Sequence, residues 1–96
     1  MLTLDHALQI LSQHKSQLCS KYPIKKMAVF GSFSRNENSQ ESDLDIAVEF
    51  DGPIGLRFIQ LAEELEQLLQ VKVDLVSFKG IKKKYLDAIT PDLKYV

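Results

Sequence analysis

At 96 residues the chain is one domain by length, with room for a modest hydrophobic core and little else. A hydrophobic fraction of 45%, a charged fraction of 26% and a formal net charge of −1 describe an ordinary globular composition and exclude the broad basic face that general nucleic-acid binding requires. No apolar run approaches the roughly 20 residues that span a bilayer, and no secretory signal opens the chain, so a cytoplasmic protein without membrane segments is expected.

From the N-terminus, Leu4, Ala7, Leu8, Leu11 and Leu18 recur at helical spacing, and Thr3 stands where a side chain would cap the helix start. The helix is expected to end near Ser20, because Tyr22-Pro23 disfavours its continuation. The lone cysteine, Cys19, excludes an internal disulfide or a cysteine-rich zinc site and reads as a buried, inert thiol on the apolar side. His6 and His14 share this helix without companion ligands and read as surface or packing residues.

Ile24 to Phe30 is short, apolar and partly β-branched, and it stops at Gly31, which predicts a buried strand. Ser32 to Ser42 is polar and rich in turn formers, with room for one helical turn at its start. Asp43 to Phe50 alternates: Leu44, Ile46, Val48 and Phe50 point one way, Asp43, Asp45, Ala47 and Glu49 the other.

Asp51-Gly52-Pro53 breaks the chain, and an amphipathic helix is predicted from about Gly55 to Gln70. Its stripe is Phe58, Leu61, Ala62, Leu65, Leu68 and Leu69. Val71 to Ser77 forms a third strand with Lys72, Asp74 and Val76 on one face. The run Lys82, Lys83, Lys84 favours a solvated helix face over a phosphate track. Ile81, Tyr85, Ala88 and Ile89 suggest a last helix that Pro91 closes.

The expected fold is therefore α/β (α+β): a single domain over residues 1–96, a small mixed three-stranded sheet packed with helices. The first two strands, joined by a loop without a crossover helix, should be antiparallel. The second and third flank a helix, which favours a parallel, right-handed crossover.

Three carboxylates stand out within this frame. Asp43 and Asp45 emerge from the same strand face about 7 Å apart along the chain. Asp74 interrupts an otherwise apolar strand, which is costly unless something positive satisfies it. If the two strands are neighbours, the three can converge. Converging anions are tolerable around a hard divalent cation, and oxygen ligands suit Mg²⁺, with Mn²⁺ as the alternative. Two such ions about 4 Å apart can activate an attacking oxygen and stabilise a leaving pyrophosphate. Singly, Asp43 could cap the strand entrance and Asp45 and Asp74 could be solvated; together they favour the metal site.

Gly31-Ser32 ends the first strand, where free backbone N–H groups and the Ser32 hydroxyl would cradle a phosphate. Antiparallel pairing brings that turn beside Asp43 and Asp45. For Arg35 two readings stand open: a guanidinium on β- or γ-phosphate oxygens, or a surface arginine paired with Glu37 or Glu41. The chain contains neither a G-x-x-x-x-G-K-[ST] loop nor G-x-G-x-x-G, and its acidic loop lacks EF-hand spacing.

The stretch VFGSFSRNENSQESDLDIAVEF, with Asp74 in VKVDLVS, resembles the signature of the DNA polymerase beta nucleotidyltransferase superfamily: Gly-Ser, a spacer, Asp-x-Asp on a strand, and a third acid on a later strand. The match is to the minimal nucleotidyltransferase (MNT) family, which includes the MntA-type antitoxins, and it runs from about Ile24 to Ile89. The resemblance implies a polymerase beta-like core in which Gly31 and Ser32 bind the triphosphate, and Asp43, Asp45 and Asp74 ligate metal, with Asp74 also helping to activate the acceptor. It further implies ATP and two Mg²⁺ ions, transfer of AMP to a tyrosine hydroxyl of a helical HEPN-type toxin, and a homodimeric or hetero-oligomeric assembly that supplies the acceptor surface. A non-catalytic antitoxin that neutralises its partner by complex formation is the alternative. Related sequences often carry glycine where this chain has Asn36, a residue that tolerates the left-handed conformation.

Overall fold

The computed structural model describes residues 2–96. Helix α1 spans Leu4–Lys21, and Thr3 caps it as expected: its hydroxyl oxygen accepts from the His6 N–H at 3.2 Å. The helix ends as the chain turns extended at Tyr22, immediately before Pro23. Leu4, Ala7, Leu11 and Leu18 form its buried stripe. Cys19 departs from expectation, since it is exposed. It follows Leu18 by one residue, about 100° around the helix, which carries it past the edge of the buried stripe.

Strands β1 (Ile24–Phe30), β2 (Leu44–Phe50) and β3 (Val73–Ser77) form where the apolar patterns place them, and helix α2 (Arg57–Leu69) connects the last two. The sheet order is β3-β2-β1 with a further strand, β4 (Lys94–Tyr95), on the outer side of β1. A two-residue strand is too short to show any alternation, so the sequence predicts three strands and the sheet has four. As expected, β1 and β2 are antiparallel and β2 and β3 parallel, so the sheet is mixed.

One core fills the space between the sheet and helices α1 and α2. Leu44, Ile46 and Val48 of β2 meet Leu61, Leu65 and Leu69 of α2 and the α1 stripe, all buried. Phe58, Ala62 and Leu68 border the α2 stripe and are half-buried. Phe58 meets Phe50 edge-to-face at 6.1 Å. Gln70 ends α2 in the left-handed conformation, and the Glu66 carboxylate accepts the Val73 N–H at 3.0 Å, fastening β3 to the helix before it. Helix α3 (Lys83–Ile89) buries no residue, and Lys82, Lys83 and Lys84 are exposed, as a solvated face requires. Pro91 lies in a 3₁₀ turn, Thr90–Asp92, that ends the helical segment.

Candidate active site

Pairing registers place the acidic residues. Phe30, the last residue of β1, faces Asp45 across the antiparallel ladder, and Asp45 faces Asp74 across the parallel one. Side chains at facing positions emerge on the same side of a sheet. The carboxylates of β2 and β3 therefore stand together where β1 ends, and the chain leaves β1 through Gly31 at that point.

Gly31 has φ +78°, and a Cβ built on it would lie 2.0 Å from Asp45 Oδ2. The main chain passes directly against the Asp45 carboxylate, a path only glycine can take. Beyond it the chain coils tightly. Arg35 N–H donates to Gly31 O at 3.2 Å and Glu37 N–H to Ser32 O at 2.8 Å, while Phe33 plugs into the core. The coil is a run of turns rather than a regular helix. Asn36 adopts φ +57°, the left-handed conformation its side chain tolerates. Ser39 and Ser42 then bridge the loop, with Ser39 N–H on Ser42 Oγ at 2.8 Å, and deliver the chain to Asp43.

Asp43 and Asp74 are exposed, and Asp45 is half-buried between them. Partial burial, followed by the charges of Asp74 and Asp43, pushes the Asp45 carboxyl up to about 6, and the Arg35 guanidinium offsets part of that rise. The carboxyl thus sits in an excess of negative charge that a divalent cation would relieve. Oxygen-donor carboxylates such as Asp43, Asp45 and Asp74 match the donor chemistry of Mg²⁺ or Mn²⁺. Among the described residues, no three His, Cys, Asp or Glu side chains are drawn together as tightly as a ready-made metal cage. The fit is one of donor chemistry and charge.

Arg35 is engaged by two carboxylates. Its Nε donates to Glu37 at 2.6 Å and its Nη1 to Asp92 at 2.7 Å. The sequence anticipates a pairing with Glu37 or Glu41, of which the structure forms the first, and gives no sign of the pairing with Asp92. Asp92 lies 57 positions along the chain, and no sequence period links residues brought together only by the return of the C-terminal segment to β1. Ser34 is the second unanticipated member. It is buried, and its hydroxyl donates to the main-chain carbonyl of Asp92.

Residues 11–95 match the family described as Nucleotidyltransferase domain. The chain is 39% identical to the protein adenylyltransferase MntA of Thermococcus cleftensis, over 100% of this chain and 98% of that protein. A solved structure described as a minimal nucleotidyltransferase superposes with a TM-score of 0.80 at 31% identity, covering 97% of this chain and 95% of that one. A chain of the solved complex between a tri-AMPylated Shewanella oneidensis HEPN toxin and an MNT antitoxin shares the fold, with a TM-score of 0.68 at 22% identity, covering 93% and 70%.

Proposed function

The chain belongs to the nucleotidyltransferase family, of the minimal kind, and on that premise we propose that it transfers AMP from ATP to a tyrosine hydroxyl of a HEPN-type partner, as the cytoplasmic antitoxin of a toxin–antitoxin pair. The observation that carries this reading is the convergence of Gly31, Asp45 and Asp74 at one end of the sheet. The names of the relatives support it: MntA is a protein adenylyltransferase, and the Shewanella complex holds an AMPylated HEPN toxin.

In this reading the N–H groups that follow Gly31, with the Ser32 hydroxyl, hold the triphosphate. Arg35 keeps three of its five N–H donors for phosphate oxygens, since two are spent on Glu37 and Asp92. Asp43, Asp45 and Asp74 would ligate two Mg²⁺ ions, with Mn²⁺ as the alternative. When bound, these supply charge neutralisation at the α-phosphate and the leaving group. Asp74, exposed on the edge strand, orients the acceptor hydroxyl and takes its proton. The acceptor oxygen bonds to the α-phosphorus as the bond to pyrophosphate breaks. Asp43 and Asp74 stand open to solvent, which leaves them accessible to an acceptor hydroxyl carried by a second chain, in a hetero-oligomer with the partner or in a homodimer.

The test is to incubate the protein with labelled ATP, Mg²⁺ and the product of the adjacent gene, and to read the partner's mass. A gain of one or more AMP units, lost in Asp43→Asn and Asp45→Asn, is expected. Transfer that survives both substitutions sinks the assigned site. A tight complex without any transfer points instead to neutralisation by occlusion.

A further inference from the structure

We infer that Asp92 is a positioning residue for the phosphate loop, holding Arg35 and Ser34 in the geometry that receives the nucleotide triphosphate; the inference rests on the nucleotide-site reading above. One residue of the C-terminal segment grips two consecutive residues of the loop. The Asp92 carboxylate accepts from Arg35 Nη1 at 2.7 Å, and its main-chain carbonyl accepts from the Ser34 hydroxyl. These ties differ from a chance surface ion pair. Ser34 is only 6% exposed, and the Asp92 side chain is 21% exposed against 62% for Glu37, the other partner of Arg35.

Asp92 is itself anchored. It closes the 3₁₀ turn Thr90–Asp92, and the next residues pair with β1, Lys94 with Val29 and Tyr95 with Ala28. β1 is the strand that leads into Gly31, and these pairings lie at that same end, so the loop and the segment that grips it are held by one end of one strand. An arginine side chain has many rotamers, and fixing it before the ligand arrives removes that ordering cost from binding. With Nε and Nη1 occupied, the guanidinium presents its remaining N–H groups from a set direction.

The test titrates the full chain with a non-hydrolysable ATP analogue and Mg²⁺, and measures kcat and KM for ATP with the partner as acceptor. Asp92→Ala is expected to raise both the dissociation constant and KM about fivefold to tenfold while kcat stays within about twofold, because binding geometry is lost and the reacting groups are not. Asp92→Asn keeps an oxygen that can accept from Arg35 and should fall between the parent and Asp92→Ala; it also carries the comparison if the alanine variant fails to fold. If Asp92 acts through Arg35, the double variant Arg35→Ala/Asp92→Ala binds no more weakly than Arg35→Ala alone. Unchanged or tighter binding in folded Asp92→Ala, or additive losses in the double variant, overturns the inference. Failure of the unsubstituted chain to bind the analogue at all would overturn the nucleotide-site reading itself, and this inference with it.

Discussion

Gly31 is fixed by two constraints acting on one atom position. Its φ of +78° disfavours any side chain, and a Cβ would fall 2.0 Å from Asp45 Oδ2. Gly31→Ala must therefore both strain the backbone and push the carboxylate or the loop aside. We expect it to lower stability by about 2 kcal/mol or more, from left-handed strain plus displacement, and to abolish AMP transfer. Denaturant unfolding and the labelled-ATP assay check the two parts separately. Parent-like stability would mean that the loop does not lie against Asp45.

Among the elements, α2 shows most directly how the pattern in the sequence becomes stability. Leu61, Leu65 and Leu69 recur at helical spacing and are 0%, 0% and 3% exposed, whereas Leu56 and Ile59 beside them are 84% and 58% exposed. The core that α2 seals backs the strands bearing Asp45 and Asp74. Leu65→Ala is expected to cost about 2–5 kcal/mol, a large share of the roughly 5–15 kcal/mol of a small domain. Leu56→Ala should stay within about 0.5 kcal/mol. Thermal melts of the two variants give the contrast. Equal effects would contradict the burial of the α2 stripe.

At the scale of the whole molecule, two carboxylates set opposing pH dependences for the metal-free protein. Asp45 has its folded pKa raised from 3.8 to about 6, so between those values the folded state holds a proton that the unfolded chain has lost. Stability from this group therefore falls as pH rises through about 6. Glu64, bonded to Lys21 Nζ at 3.0 Å and accepting from Tyr22 Oη at 2.9 Å, has its pKa lowered by those hydrogen bonds. Its contribution, which ties α1 to α2, is present above the ordinary glutamate range and lost as pH falls through its folded value. The melting temperature without divalent metal should peak at about pH 4, fall most steeply at about pH 5 and level off above about pH 6. Asp45→Asn should remove that decline and gain on the order of 1 kcal/mol at pH 7, once solvent screening of a partly open site is allowed for. A parent profile still rising from pH 5 to pH 7 would contradict the charge balance of the cluster.

The sequence by itself determined what local periodicity can encode. It set the cap at Thr3, the alternation of β2 that turned Asp45 away from the core-facing Leu44, Ile46 and Val48, the α2 stripe, and the strand orientations that follow from connection length. It also held the Gly-Ser and Asp-x-Asp residues, whose spacing is short enough to read along the chain. The tertiary structure decided the rest. Strand β4 is too brief to leave a pattern, and Cys19 lies just beyond the rim of its helix stripe. The facing of Asp45 with Asp74 depends on register, which the sequence constrains only through the packing of both strands against the same core. The engagement of Arg35 and Ser34 by Asp92 arises only because the C-terminal segment folds back along β1. Contacts between residues distant in the chain are products of packing, and packing is a property of the folded whole.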